Sequence, residues 1–321
     1  MQLIQKISHL RKKFKNPVLT LGNFDGLHLA HQRIIKQVVR QAKQRAGTSV
    51  VVTFNPHPVK ALEGLTATSL ITTVGHKIDL IRYLGVDVCL LLDFNQQFSK
   101  TTAEDFIKDQ LIKQIGMKYL IIGQGFRFGK NRRGDINLLR RLAKRYDFKL
   151  GLLKPVKING RIISSSRIRS LIRKGRVAQV NRLLGRMFSI SGRVNPGSAR
   201  GRNLGFPTAN IIPDQEIIPA SGVYAVYIKL NQKVLPGVLN IGIRPTFSQG
   251  RNAPHFIEVH IFNFSNNIYR KKLEVFFVRR IRPEKRFNSH QALINQIKKD
   301  ALTAKKILRP ANRPAPKQAL I

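Results

Sequence analysis

Along the first half of the chain, short wholly apolar runs alternate with longer stretches whose apolar residues return every three or four positions. PVLTLG (17–22) predicts a buried strand. In HQRIIKQVVRQAKQRAG (31–47), Ile34, Ile35, Val38, Val39 and Ala42 share one helix face, and Gly47 is expected to end the helix. TSVVVTF (48–54) predicts the next strand, stopped by the two prolines of NPHP. HKIDLIRYLG (76–85) predicts a helix and VDVCLLLDF (86–94) a strand. TTAEDFIKDQLIKQIG (101–116) predicts a helix whose Thr101 and Glu104 have capping-box spacing. KYLIIG (118–123), INLLRRLAKRYD (136–147) and KLGLLKPV (149–156) continue the series as strand, helix and strand. Such alternation predicts an α/β domain on a doubly wound parallel sheet.

Near residue 185 the pattern changes. MFSISGRV, GVYAVYIKL, LPGVLNIG, FIEVHIF and KLEVFFVRRI are short apolar strands separated by Gly, Pro and Asn. Helical spacing returns only in SHQALINQIKKDALTAKKIL (289–308), so an antiparallel β-barrel with a terminal helix is expected. The division read from these patterns is 1–184, 185–305 and a basic tail over 306–321, whose prolines and lack of periodicity predict disorder.

Composition changes this picture in one respect. Fifty-eight Lys and Arg face 16 Asp and Glu, a formal charge of +42, so nonspecific binding to polyanions at low salt follows. The basic residues run through every segment, including ordinary helix faces, rather than forming the stripe of a specific nucleic-acid binder. A nucleic-acid-binding or RNA-modifying protein is the rival reading from another class. Cys89 has no partner for a disulfide, no apolar run is long enough for a membrane span, and the N-terminus lacks signal-peptide order, so a cytoplasmic protein with no membrane insertion is expected. Oligomeric state is left open.

The candidate chemistry of the first half centres on LTLGNFDGLHLAHQ (19–32). Gly22 and Gly26 bracket a turn at the carboxyl end of the first strand, where open α/β sheets bind ligands, and the following helix N-terminus favours anions. His28 and His31, three apart, share one side of the first helical turn. Metal binding, core packing and phosphate binding are the three uses open to them. Imidazoles placed there can donate hydrogen bonds to a phosphate as charge builds in a transition state. A third ligand with metal-site spacing is not evident. SSSR (164–167) at a helix start suits a phosphate clamp or an N-cap cluster equally. In the second half, Thr208 and Asn210 offer hard oxygen atoms on one side of an extended segment, suited to Mg²⁺ and phosphate oxygens. Glu258, between apolar neighbours on a strand, is costly unless it faces a site or a cation.

Four segments in order, GNFDGLHLAHQ, TFNPHP (53–58), GQGFRFGKNRRGD (123–135) and SSSRIRSLIRKGRV (164–177), resemble the nucleotidyltransferase half of the bacterial bifunctional riboflavin kinase/FAD synthetases. GRNLGFPTANI (201–211), GVLNIGIRPTF (237–247), FIEVHIFNF (256–264) and LEVFFVRRIRPEKRF (273–287) resemble the kinase half. The resemblance spans roughly residues 15 to 305. It implies an N-terminal FMN adenylyltransferase domain and a C-terminal riboflavin kinase domain built on a six-stranded barrel, with riboflavin, FMN and ATP as substrates and Mg²⁺ as cofactor. It further implies that His28 and His31 act on ATP phosphates, beside Gly22, Asn23, Phe24, Asp25 and Gly26. His57, Ser164, Ser165, Ser166 and Arg169 would hold the phosphates too. Phe126, Arg127 and Phe128 would meet flavin in the first half, and Arg282 and Phe287 in the second. Gly201, Gly205 and Pro207 would shape the kinase nucleotide loop, Thr208 and Asn210 would hold Mg²⁺, and Glu258 would be the general base. Three positions depart from the family pattern: Ala30 for a glycine, Gly125 for Asp or Asn, and Arg161 one residue out of place before Ser164. They motivate an alternative in which the kinase works and the adenylyltransferase half is weakened or silent.

Overall fold

In a computed structural model of the chain, residues 1–5, 7, 13–64, 68–196, 205–243 and 255–308 are described. The chain divides into two compact units, Met1–Ser165 and Ser166–Ile321.

The first unit is built on six strands: β1 (Gln2–Ile4), β2 (Val18–Leu21), β3 (Ser49–Phe54), β4 (Val88–Leu92), β5 (Tyr119–Gly123) and β6 (Lys149–Leu153). They form a parallel sheet in the order β1-β4-β3-β2-β5-β6. The helices are α1 (Leu29–Gln44), α2 (Pro58–Glu63), α3 (Val74–Tyr83), α4 (Gln96–Ser99), α5 (Ala103–Asp105) and α6 (Ile136–Arg145); α5 runs into a π-helical stretch, Phe106–Gln114. β2, β3 and β4 are buried throughout because helices cover both faces. Val51 and Cys89 pack with Ile35 of α1 and Leu80 and Ile81 of α3. On the opposite face, Val50, Val52, Leu90 and Leu120 pack with Phe106, Leu111, Leu139 and Leu142. The chain leaves β2 toward β3 on one side and later returns to β5 on the other, so the order reverses at β2. The crevice at that reversal is the ligand-binding position of open α/β sheets.

Several local expectations are corrected. The left-handed turn after α1 is taken by Ala46 (φ 44°); Gly47 is required because a Cβ there would meet the Asn16 carbonyl oxygen at 2.2 Å. The cap before α5 is Thr102, not Thr101: its hydroxyl accepts from Asp105 N–H at 3.1 Å, so Asp105 rather than Glu104 holds the third helical position. Strand β1 and a two-stranded hairpin, β7 (Lys157–Ile158) with β8 (Arg161–Ile162), are too short to leave a periodic signature.

The second unit opens with α7 (Ser165–Arg173), whose first residue belongs to the first unit, and α8 (Val177–Leu184), which packs on the barrel strands β9 and β14. These helices lie before residue 185, yet by packing they join the barrel unit. β9 (Phe188–Asn195), β10 (Ala209–Pro213), β11 (Gly222–Leu230), β12 (Lys233–Ile243), β13 (His255–Ile261) and β14 (Lys272–Arg282) close an antiparallel barrel in the order β10-β13-β12-β11-β14-β9. Leu239, Ile241, Ile257 and Val259 fill its interior by alternation along β12 and β13, joined by Val226 and Phe277 from β11 and β14, whose pairing carries register shifts. Helix α9 (His290–Leu308) covers part of the outside through Ala301, Ala304 and Leu308 against Ala225 and Phe262. A two-pronged ion pair from Arg282 to Asp300 and a hydrogen bond from the Tyr227 hydroxyl to the Leu308 carbonyl fasten it. α9 thus runs through residues 306–308, and the rest of the expected tail lies outside the described residues. No helix among the described residues is long and apolar enough to cross a membrane.

Candidate functional site

The turn after β2 is tight and locally tied. Phe24, Gly26 and Leu27 have φ of 50°, 80° and 38°, and a Cβ on Gly26 would press on Ile71 at 3.1 Å. Asp25 is buried, and its Oδ1 accepts from Ile71 N–H (3.0 Å), Thr72 N–H (3.2 Å) and the Thr72 hydroxyl (3.4 Å). Gly26 N–H in turn donates to Thr72 Oγ1 at 3.2 Å. The structure therefore places Asp25 as the tie between this turn and the 71–72 segment.

His28 is the N-cap of α1, its Nδ1 accepting from His31 N–H at 3.4 Å. His57 repeats the arrangement at α2, its Nδ1 accepting from Val59 N–H at 3.2 Å. An Nδ1 that accepts leaves the proton of a neutral imidazole on Nε2. Both rings are thereby held in the tautomer whose Nε2 carries the proton, at helix N-termini where anions are favoured. His31 stacks on His28 with ring centroids 3.6 Å apart and meets the edge of Phe24 at 5.3 Å. Its Nδ1 is buried without a hydrogen-bond partner among the described residues. Burial first, then the neighbouring His28, hold His31 well below the ordinary imidazole range, so it is neutral at pH 7. The Ser165 hydroxyl donates to the Asp25 carbonyl at 2.9 Å, which brings one of the three serines to the turn. Ser164 is half-buried just before α7; Ser166 and buried Arg169 lie on α7 in the second unit.

The GQGFRFGKNRRGD segment folds beside the carboxyl end of β5. Phe126 and Phe128 stack at 5.4 Å, but Phe128 is a core residue packed on Phe106. Gly129 and Gly134 allow this loop to lie on Ala103, where a Cβ from either would come within 2.7 Å. Phe126 and Arg127 instead line a cavity of about 380 Å³ with Gly125, Asp135, Asn137 and Arg140, a volume within the range of small-molecule sites. Asp135 caps α6 through Leu138 N–H and faces Arg127 at 3.5 Å; the Leu138 bond foremost holds its carboxyl below the usual range. Gly125 faces open space, with nothing within 4 Å of a built Cβ. Arg161 is exposed on β8.

In the barrel unit, Asn210 on β10, Glu258 on β13 and Asn240 on β12 stand abreast in register. Their alternation places all three on the outer surface, opposite Ala209, Val259 and Leu239. Thr208 precedes β10 with the same parity as Asn210. The His260 ring, two residues along β13 from Glu258, donates from Nδ1 to the Pro207 carbonyl at 2.8 Å and anchors the segment that carries Thr208. Gly205 turns that segment with φ 81°, and Gly201 lies outside the described residues. The Arg282 guanidinium is committed to Asp300 and sits 5.6 Å over the Phe287 ring, so the two expected flavin residues are in mutual contact. Sequence reasoning missed Asn240 and His260. Parity with Glu258 marks His260, and pairing alone reveals Asn240.

A doubly wound unit with capped histidines at its switch point, followed by a closed barrel with an Asn–Glu–Asn row, defines a two-unit protein of the nucleotidyltransferase-plus-barrel class. Residues 10–167 match the family model described as FAD synthetase, and residues 184–308 the one described as riboflavin kinase. A bifunctional riboflavin kinase/FMN adenylyltransferase from Buchnera aphidicola subsp. Schizaphis graminum is 40% identical over 95% of this chain and 98% of its own. The protein of that name from Escherichia coli strain K12 is 36% identical over 95% of this chain and 97% of its own. Among solved structures, a chain described as a macrolide-efflux protein from Streptococcus pneumoniae superimposes with a TM-score of 0.84, at 31% identity, covering 93% of this chain and 96% of its own. The chain belongs to the family of bifunctional riboflavin kinase/FMN adenylyltransferases.

Proposed function

We infer that the barrel unit phosphorylates riboflavin with ATP to give FMN, and that the N-terminal domain, taken functionally as residues 1–184, joins AMP from ATP to FMN to give FAD and pyrophosphate. The observation that carries this reading is that the two halves match their separate family models, over residues 10–167 and 184–308, within one chain. In the adenylyl transfer, an FMN phosphate oxygen attacks the α-phosphorus of ATP and pyrophosphate leaves. The Nε2–H edges of His28 and His57, fixed by their capping bonds, donate to phosphate oxygens as negative charge grows there, with His31 stacked behind His28. Gly22, Asn23, Phe24 and Gly26 shape the turn beside the phosphates, with Ser164 and Ser165 as their further contacts. The flavin takes the cavity lined by Phe126 and Arg127.

In the kinase reaction, Glu258 takes the proton of the riboflavin 5′-hydroxyl as that oxygen attacks the γ-phosphorus of ATP and ADP leaves. Thr208 and Asn210 present hard oxygen atoms from one side of an extended segment, a donor pair that suits Mg²⁺. Bound there with nucleotide phosphates, Mg²⁺ would neutralise the charge of the transferring group. Gly205 and Pro207 border the nucleotide, and Phe287, oriented by Arg282, borders the flavin. A cytoplasmic setting, in which the lone buried thiol of Cys89 stays reduced, fits this reading. The charge of +42 adds weak, salt-sensitive attraction to any polyanion.

The test is chromatography of products from the purified chain with riboflavin, ATP and Mg²⁺. FMN together with FAD is expected. FMN alone would leave the kinase standing and make Ala30, Gly125 and Arg161 the reason for a silent first domain, and neither product would overturn the reading.

A further inference from the structure

Lys77 sits on α3 and is 6% exposed. Its Nζ donates to the Phe54 carbonyl at 3.1 Å and to the Thr53 hydroxyl at 3.1 Å, both at the end of β3. Its third donor reaches the Asn23 carbonyl, in the turn after β2, at 3.4 Å. Thr53 Oγ1 closes the arrangement by donating to the same Asn23 carbonyl at 3.3 Å. The ammonium is thus fully used, its acceptors are neutral, and no carboxylate stands within ion-pair distance among the described residues. Burying a cation without a counter-ion is expensive, and a neutral donor would serve if cross-linking were the sole need. The two segments it joins are those leading to His28 and to His57, the capped histidines at the switch point. The charged and titratable groups facing it are Asp25, held by Ile71 and Thr72, and the Cys89 thiol on β4, which itself faces Arg82.

We propose that Lys77 is a positioning residue of the FMN-adenylylating site: its ammonium locks the Asn23 turn to the Phe54 segment and supplies a fixed positive charge beneath the phosphate-binding loops. The Asn23 carbonyl is drawn toward the cation, which sets the orientation of the peptide leading into Phe24 and the turn beyond it. Burial, opposed by Cys89 and Asp25, brings the amine down to about 8, so the charge is present at neutral pH and is lost in mildly alkaline solution. The assignment rests on the first unit being the adenylyltransferase. The kinase of the same chain is the internal control.

The experiment compares the full-length chain with Lys77→Met and Lys77→Arg, measuring FAD formation from FMN and ATP, and FMN formation from riboflavin and ATP, across pH 6.5 to about 10. Lys77→Met is expected to lower kcat/KM for FAD formation about 100-fold while FMN formation stays within about twofold. The wild-type FAD rate falls as pH rises through about 8. That fall disappears in Lys77→Arg, whose guanidinium stays charged, and in the residual rate of Lys77→Met. Wild-type-like FAD formation by Lys77→Met, an alkaline fall unchanged in both variants, or parallel loss of both activities would overturn the proposal. A wild type that makes FMN and no FAD overturns the reading of the first unit and the Lys77 assignment with it.

Discussion

Replacing Asp25 separates a structural tie from a ligand contact. The carboxylate is buried, and its Oδ1 accepts from two backbone N–H groups and one hydroxyl of the 71–72 segment. Asp25→Ala leaves the Ile71 and Thr72 N–H groups without that acceptor, and each buried orphan costs roughly 1–3 kcal/mol, so the turn loses about 2–6 kcal/mol of support. Such a loss is comparable to the stability of a typical domain, about 5–15 kcal/mol. Asp25→Asn keeps an oxygen at the Oδ1 position and loses only the charge assistance, about 1 kcal/mol. FAD formation should therefore collapse in Asp25→Ala and persist within about tenfold in Asp25→Asn, a loss of about 1.4 kcal/mol at most. The assay is FAD formation from FMN and ATP, with FMN formation by the same preparations as reference and urea unfolding followed by circular dichroism. Equal loss in both variants would refute the reasoning, because it would mean that the charge acts directly on nucleotide or metal. Full activity in Asp25→Ala would refute it from the other side.

Three further outcomes follow from the same geometry. Glu258→Gln should lower FMN formation about 100-fold to 10,000-fold while FAD formation from supplied FMN is unchanged, read by chromatography of each reaction run separately. Gly125→Asp should be tolerated, since a Cβ there meets nothing within 4 Å, and should raise FAD formation if the lost polar group matters; no gain removes Gly125 as a weakness. His31 is held below its ordinary value of 6.5, so the folded chain keeps it neutral where the unfolded chain takes up a proton. Its contribution is therefore intact above pH 6.5 and is lost as the pH drops below it, a slope that chemical unfolding at several pH values should show and that His31→Gln should flatten.

The parallel sheet was legible because its strands are covered on both faces, and a wholly apolar run such as VCLLL admits few other readings. The barrel was legible from short apolar runs parted by Gly, Pro and Asn, except β10, whose residues lie within the GFPTAN loop motif and carry too few apolar positions to announce a strand. Helix limits slipped where a side chain set them: His28 caps α1 and begins it at Leu29, before the first periodic residue. Among candidate residues, the turn after β2, the His28–His31 spacing and the shared parity of Thr208 and Asn210 were readable from residue type and spacing, whereas Glu258 meets Asn210 only through strand pairing. Asn240 and His260 reach the site through strand pairing, which no local window encodes. Lys77 illustrates the same limit, because its surroundings come from segments more than twenty residues away. Phe128 and Arg282, which the resemblance marks for flavin, also hold the core and the terminal helix.

The register of three barrel strands has a consequence for how this enzyme can fail. Asn210, Glu258 and Asn240 share one row on the outer surface, while Val259, one step along β13, lies inside. A slip of β13 by one residue would send the carboxylate of Glu258 into the apolar interior and push Val259 out. The misassembled barrel would have to bury a charge among Leu239, Ile241 and Phe277 and would not close. Closure therefore acts as a proofreader of the register: a chain that completes the barrel has, by that fact, put Glu258 on the outer surface.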